Sequence, residues 1–230
     1  MDELITELIA RFQEAPHGFF HERELHAVFY AVCRDALGMA VTVHEGQNAE
    51  VHLLRYEYDS LWKYRRDEPE RFGERYADEG TTACFDFAVL NPEFVAQHNL
   101  LTVINKFDAL RADVRNNQPQ VGCSTMVDAA IEFKMAHRRQ HADVMNAAIT
   151  SLHNGMVCDA RKLAKERVAV GYLLGFSHGP LPMPGQAQEI VQACVNEHQN
   201  HLAAGVPAQI RVLIATPDDI IHDDNWANGA

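Results

Sequence analysis

Two apolar segments of the sequence carry charged side chains that could act on a metal or a phosphate. Residues 84–89 read CFDFAV, with Asp86 in the middle, and residues 130–135 read AIEFKM, with Glu132 and Lys134 two positions apart. A carboxylate in an apolar strand is costly to bury unless it is paired or bound to a metal. Two carboxylates form an oxygen-rich site suited to Mg²⁺. A lysine beside them could orient or help deprotonate an attacking water, or stabilise charge on a phosphate.

The alternation of side chains along a strand predicts which of these residues share a face. Glu132 and Lys134 lie on one face of their strand, and Ile131 and Phe133 point to the other. The face opposite to Asp86 is expected to hold the larger side chains of its segment, which are Phe85, Phe87 and Val89. The pattern therefore predicts an acid and a base side by side on one strand, and a second acid on a neighbouring strand.

The elements that position these residues follow from the spacing of apolar residues along the chain. Helical spacing predicts amphipathic helices, at residues 1–12, 22–37, 143–152, 157–167 and 187–202. Apolar or alternating runs predict strands, at residues 51–58, 81–90, 129–135, 168–176 and 210–215. The strand at 168–176 is apolar almost throughout and is expected to be central. This order of elements is typical of an α/β domain built on a mixed sheet.

The length and composition of the chain fit one decorated domain. There are 230 residues, of which 47% are hydrophobic, enough for one sizeable core rather than two. We expect a single domain at residues 1–216, with an insertion at about residues 91–120 between the second and third core strands, and an acidic C-terminal tail at residues 217–230. The five scattered cysteines include no C-x-x-C pair, which argues against a disulfide framework or a zinc knuckle.

The formal net charge of −12 counts against a tight grip on nucleic acid, because Lys and Arg contacts with phosphates supply much of that affinity. A local basic groove remains compatible with this total, and three basic clusters occur, at residues 63–66, 137–139 and 161–167. Each cluster taken singly fits a solvated face better.

No stretch reaches the ~20 apolar residues of a membrane span, and the N-terminus lacks the pattern of a secretory signal. We therefore expect a cytoplasmic protein without a membrane partner.

The order of the acidic and basic residues resembles the D…E-x-K signature of the PD-(D/E)XK nuclease superfamily. Phe85-Asp86 is followed by Glu132 and Lys134 within an apolar strand, in the family's order, although Phe85 stands where many members have proline. The resemblance covers about residues 20–178. It implies a restriction-endonuclease-like fold, with a mixed central sheet flanked by helices and a helical insertion between the second and third core strands.

In that superfamily a helix carrying a glutamate precedes the first core strand. The helix at residues 22–37 offers two candidates, Glu22 and Glu24. At about 100° per residue, Glu22 lies at the edge of the apolar stripe of this helix, whereas Glu24 points away from it. Glu22 is thus the better candidate to face the sheet.

The resemblance also implies a chemistry, the metal-assisted hydrolysis of phosphodiester bonds by an endonuclease, with DNA favoured over RNA as the substrate. Asp86, Glu132 and the carbonyl of Phe133 would hold one Mg²⁺ or Mn²⁺, which would activate water. Lys134 would lie near that water. Glu22 would support a second metal or a metal-bound water. A homodimer is compatible with this fold.

Two other interpretations of these residues remain open, and a third is excluded by its spacing. Glu132 and Lys134 could form a same-face salt bridge on a half-exposed strand, which would contribute little. The chain could keep the nuclease fold as a non-catalytic binding or assembly subunit whose acidic surface docks a protein. His21 and His26 flank a glutamate, as in zinc proteases, but they are five residues apart and do not share a helix face.

Overall fold

A computed structural model describes residues 1–64, 81–104, 126–136, 142–166, 168–181, 183–202 and 208–227. Its helices are α1 (Asp2–Glu14), α2 (Glu22–Leu37), α3 (Pro92–Gln97), α4 (Leu100–Ile104), α5 (Ala142–Lys165), α6 (Gln186–His201) and α7 (Asp224–Ala227), with a 3₁₀ turn at Pro16–Gly18. Its strands are β1 (Met39–His44), β2 (Gln47–His52), β3 (Leu54–Tyr64), β4 (Thr81–Leu90), β5 (Val127–Ala136), β6 (Val170–Ser177), β7 (Gln209–Ala215) and β8 (Ile220–His222).

The described strands from β3 to β8 form one mixed sheet in the order β3-β4-β5-β6-β7-β8. Strands β5, β6 and β7 run parallel to one another, while β3, β4 and β5 pair antiparallel, as do β7 and β8. The predicted α/β class with a mixed sheet flanked by helices is confirmed. The apolar strand β6 is central, as its composition predicted.

Helices cover both faces of this sheet and bury two separate cores. On one face, α1 and α2 pack with Phe87, Phe133 and Phe176, and we call this the α1–α2 core. On the other face, α5 and α6 pack with Phe85 and Ala130, and we call this the α5–α6 core. Two apolar layers of this kind follow from strands whose alternate side chains are buried on both sides.

An aromatic cluster fixes helix α2 against the strands that carry the candidate residues. The rings of Phe29, Phe87 and Phe133 are fully buried, and their centroids lie 4.9, 5.3 and 5.9 Å apart in edge-to-face geometry. Burial of each ring contributes about 1.5–3 kcal/mol. Because Phe29 lies three residues after His26, the same helix face carries His26 and Glu22 towards β4 and β5.

Two predicted boundaries are wrong. The helices expected at residues 143–152 and 157–167 are one helix, α5, which continues through Gly155. The strand expected at residues 51–58 is divided between β2 and β3, and β2 forms a hairpin with β1 that was not predicted. The hairpin turn has Glu45 and Gly46 at φ 50° and 78°, which is the left-handed pair that a tight two-residue turn requires.

The insertion after β4 and the C-terminal segment were both expected from the sequence. Along the chain, helices α3 and α4 follow β4 and precede β5, where an insertion was expected. The rest of that insertion lies outside the described residues. The segment expected as an acidic tail contributes β8 to the edge of the sheet. None of the helices in the described part of the chain is long and apolar enough to cross a bilayer.

Candidate active site

Asp86 lies where strands β4 and β5 stop pairing. The ladder between them ends at the pair of Phe87 with Ile131, and Asp86 is the next residue of β4. Instead of continuing the ladder, its side chain reaches across to β5, where Oδ2 accepts a hydrogen bond of 2.7 Å from the backbone N–H of Phe133. The carboxylate therefore occupies the gap between the two strands.

The alternation predicted for the segment around Asp86 is wrong at Phe85 and at Asp86 itself. Phe85 belongs to the α5–α6 core, while Phe87 and Val89 belong to the α1–α2 core. The break coincides with Glu57 of β3, which lies between the partners of Phe85 and Phe87 and has a φ of 47°. A non-glycine residue in this left-handed region interrupts the regular pleat. The irregular backbone turns Asp86 out of the alternating pattern.

Helix α2 brings Glu22 and His26 to Asp86. Each of the three residues offers a ligand atom, and these atoms all lie within 4.8 Å of one another. Nε2 of His26 is 3.8 Å from Oδ2 of Asp86. The two helical residues are four positions apart, so they lie one above the other on the same face of α2. We call Glu22, His26 and Asp86 the donor group.

His26 is buried in an aromatic environment with its ring nitrogens unused. Its ring lies 5.5 Å from that of Phe87 and 5.1 Å from that of Phe133, and the residue is 7% exposed. Neither ring nitrogen has a hydrogen-bond partner among the described residues. Burial lowers the pKa of His26, so its neutral form, which has a free lone pair for a metal, is favoured. Burial raises the pKa of Glu22.

The opposite face of β5 carries a network of alternating charges with helix α5. Nζ of Lys162 lies 2.5 Å from Glu132 and 3.2 Å from Asp159, and Nζ of Lys134 lies 2.7 Å from the other carboxylate oxygen of Asp159. Glu132 is 1% exposed. The predicted common face of Glu132 and Lys134 is thus present, but each residue pairs with α5 rather than with the other.

The charges of this network set the protonation of its members. Burial alone would lower the pKa of Lys134, but Asp159, followed by Glu132 and Asp86, raises it above the ordinary lysine value. Burial alone would raise the pKa of Asp159, but Lys162 and Lys134 hold it below the ordinary value. Lys134 therefore remains an ammonium group across the physiological range, and Asp159 remains a carboxylate.

The backbone of one residue, Phe133, connects the donor group with the charge network. Phe133 donates its N–H to Asp86, and its carbonyl accepts a 2.7 Å hydrogen bond from Nζ of Lys134. The residues expected at the site therefore lie in two adjacent sets. Asp86 and Glu22 belong to the donor group, while Glu132 is held by Lys162 on the other face of the sheet. The carbonyl of Phe133, expected to bind a metal, faces Lys134.

The two glutamates considered on α2 have different roles. Glu22 faces Asp86, whereas Glu24 caps the start of the helix: its Oε2 accepts a 3.0 Å hydrogen bond from the N–H of His21, and the His21 side chain in turn accepts from the N–H of Glu24. This reciprocal arrangement is a capping box.

Three residues of the site were missed in the sequence. His26 lies four residues after Glu22, which is a same-face spacing, but this spacing is common in helices and gains meaning only beside Asp86. Asp159 and Lys162 are separated by three residues on one face of α5, which is also a common spacing. Of the basic clusters, residues 65–66 and 137–139 lie outside the described residues.

No protein-family model matches this chain, and no curated protein or solved structure was found to be similar to it.

Proposed function

We propose that this protein is a metal-dependent nuclease of the PD-(D/E)XK superfamily, with a restriction-endonuclease-like fold, that hydrolyses phosphodiester bonds, preferentially of DNA. The observation that carries the proposal is the position of Asp86 in the gap between β4 and β5, with Glu22 and His26 on one side and Lys134 on the other. Acidic metal ligands beside a fixed ammonium group suit the hydrolysis of a phosphodiester, because both the metal and the ammonium group can stabilise negative charge on the phosphate.

The residues of the donor group fit a divalent cation. Two carboxylates and an imidazole supply oxygen and nitrogen ligands, a set that suits Mn²⁺ and is less typical of Mg²⁺, which prefers oxygen alone. The unused nitrogens of His26 support this assignment, because a buried polar atom without a partner is costly. Asp86, Glu22 and His26 would hold the ion. When bound, it would polarise a phosphate oxygen and lower the pKa of a coordinated water.

Lys134 would act as a fixed positive charge rather than as a base. Its raised pKa favours the ammonium form, which cannot accept a proton from water but can stabilise negative charge on a phosphate. Asp159 and the carbonyl of Phe133 hold Nζ in place at 2.7 Å each. A charge that is already oriented needs no rearrangement when the phosphate reaches its transition state.

One contact favours a second function, that of a non-catalytic subunit with a nuclease-like fold. Glu132, the acid of the E-x-K pattern, is 1% exposed and is neutralised by Lys162 at 2.5 Å. In this arrangement its carboxylate serves the packing of α5 on β5. A subunit of this type would bind a protein partner and would show neither cation binding at the donor group nor cleavage.

The nuclease proposal is tested with purified protein incubated with single- and double-stranded DNA and RNA, in Mg²⁺ and in Mn²⁺. We expect cleavage by the wild type and its loss in Asp86→Asn and Lys134→Met. Glu50→Gln, a charge-removing change at an exposed position of β2, is the matched control and should cleave as the wild type does. Thermal unfolding of every variant separates loss of activity from loss of fold.

Two results would reject the proposal. One is the absence of cleavage on all four substrates with either cation. The other is cleavage that persists unchanged in Asp86→Asn and Lys134→Met, because a contaminating nuclease would not respond to these substitutions. Calorimetry with Mn²⁺ decides between the two functions: the nuclease binds the ion through Asp86, and the scaffold does not.

A further inference from the structure

A cleft of about 550 Å³ opens beside the donor group, between helix α2 and strands β3 and β4. His26 belongs both to the donor group and to the wall of this cleft. The volume lies within the range of about 300–1,000 Å³ in which proteins bind small ligands. We call it the α2–β3 cleft. A ligand in this cleft would be separated from Asp86 only by the side chain of His26.

Half of the residues that line the α2–β3 cleft carry an aromatic ring. Tyr56 is 43% exposed, and its ring centroid lies 5.2 Å from that of buried Phe87 and 5.7 Å from that of His26. Tyr30 also lies against Phe87, with ring centroids 6.4 Å apart and an interplanar angle of 26°. An exposed tyrosine ring supported from behind by a buried ring is a rigid platform on which a flat π system can stack.

Two arginines line the α2–β3 cleft. Arg23 comes from α2, where it is exposed, and Arg55 comes from β3, where it is half-buried. Glu57, which is hydrogen-bonded to Tyr56, is a neighbouring acid. In a chain with a net charge of −12, two arginines and several aromatic rings in one cleft indicate a ligand with both a flat ring and an anionic group, such as a nucleotide.

We propose that the α2–β3 cleft binds an unstacked base of a nucleic acid strand, with the base on Tyr56 and a backbone phosphate on Arg23 and Arg55. This inference rests on the proposed nuclease function and names its substrate class as single-stranded or locally opened nucleic acid. A base in an intact duplex is stacked on both sides, so it cannot enter a side cleft without being unpaired. Because His26 belongs to both the cleft and the donor group, we expect a neighbouring phosphate of the same strand to lie near the donor group.

Binding is measured separately from cleavage, by fluorescence anisotropy with labelled oligothymidylate, oligouridylate and a blunt-ended DNA duplex. All proteins carry Lys134→Met and are assayed in Mn²⁺, so that substrate is not consumed. Tyr56→Ala should weaken binding of the single strands about tenfold or more, the effect of losing one base–aromatic stack. Tyr56→Phe, which keeps the ring, should bind as tightly as the parent protein. Phe20→Ala removes an exposed ring outside the cleft and is the matched control.

A second measurement tests the arginines. Arg23→Gln and Arg55→Gln should each lower the slope of log affinity against log salt by about 0.7, the value for one phosphate contact on a single strand. Thermal unfolding of all variants checks that the sheet is intact. The arms with DNA and RNA show which strand the cleft accepts, and binding of either one supports the inference.

The outcomes separate this inference from the nuclease proposal. Tight binding of the blunt duplex that is indifferent to Tyr56→Ala overturns the cleft assignment, as does equal loss of binding in Tyr56→Phe and Tyr56→Ala. Cleavage of intact duplex by the protein with Lys134, without measurable single-strand binding, overturns the cleft but retains the nuclease. Absence of both binding and cleavage rejects both.

Discussion

Gly155 of helix α5 lies directly against Lys134 of strand β5. A Cβ atom added to Gly155 would come within 3.0 Å of Cδ and 3.3 Å of Cε of Lys134. A helix interior disfavours glycine by about 1 kcal/mol relative to alanine, so the glycine is locally unfavourable in α5. The space that it leaves is occupied by the stem of the candidate catalytic lysine.

Gly155→Ala should therefore separate stability from activity. The new methyl group improves the helix by up to about 1 kcal/mol, while the flexible lysine stem has to shift. Because a misplacement of about 1 Å can cost a hundredfold in rate, we expect cleavage to fall at least tenfold without loss of unfolding free energy. Urea unfolding and initial cleavage rates measure the two effects.

Gly171→Ala is the control for this substitution. Its Cβ would meet Leu163 at 2.9 Å, in the α5–α6 core, so it should destabilise the fold by about 1–3 kcal/mol through overpacking. If Gly155→Ala is as destabilising as Gly171→Ala, or retains full activity, Lys134 does not need the space that Gly155 provides.

The regular strand of the site was predictable from sequence, and the irregular one was not. Alternation assigns Glu132 and Lys134 to one face of β5 because that strand is regularly pleated. The same rule fails for Phe85, where Glu57 on the neighbouring strand has a left-handed backbone. His26 could not be singled out, because its meaning depends on Asp86, which is distant in sequence. Gly155 was expected to separate two helices, but the helix continues through it and the glycine leaves room for Lys134 of β5.

The two lysines of the charge network should respond differently to removal. Lys162→Met leaves the buried carboxylate of Glu132 without its 2.5 Å partner, and breaking a buried ion pair in this way costs about 3–5 kcal/mol. Lys134→Met leaves Asp159 paired with Lys162 at 3.2 Å, so the free energy of unfolding should fall by less. Urea unfolding of both variants checks this order.

The two lysine substitutions should have the opposite order in their effect on the cleavage rate. Lys134→Met should reduce cleavage by about 10²-fold or more, the usual cost of removing a group that stabilises transition-state charge. Lys162→Met, assayed well below its unfolding temperature, should retain more activity than Lys134→Met. Equal losses of activity in two folded variants would contradict a separate role for Lys134.

His26 should determine which cation the donor group accepts. An imidazole ligand favours Mn²⁺ over Mg²⁺, so the wild type is expected to bind Mn²⁺ more tightly. His26→Ala should lower the affinity for Mn²⁺ by tenfold or more and reduce the preference between the two ions. Isothermal titration with each cation measures both quantities without reference to cleavage. An unchanged Mn²⁺ affinity would remove His26 from the donor group.

The two glutamates of α2 provide another matched pair. Glu22→Gln removes a carboxylate of the donor group and should weaken Mn²⁺ binding while the helix is retained. Glu24→Gln keeps an acceptor for the capping box, whereas Glu24→Ala loses it and should destabilise the protein by about 1 kcal/mol. Calorimetry with Mn²⁺ and thermal unfolding distinguish the two positions. Loss of Mn²⁺ binding in Glu24→Gln would exchange their roles.

His198 should make the fold sensitive to mild acid. It lies on α6 and is 2% exposed, and burial lowers its pKa to about 4. At pH 7 the histidine is mostly neutral in both the folded and the unfolded chain, so its protonation changes the free energy of unfolding little. As the pH falls below about 6.5, the unfolded chain binds the proton and the folded chain does not until about pH 4, so stability is lost across this window.

His198→Leu should remove this contribution while keeping an apolar side chain in the core. Between pH 7 and pH 5 the wild type should lose about 1–2 kcal/mol more unfolding free energy than the variant does. Urea unfolding at the two pH values gives the difference, in which groups common to both proteins cancel. His17→Gln, at an exposed position, should lose as much as the wild type. Equal losses in the wild type and His198→Leu would show that the proton reaches His198 in the folded protein.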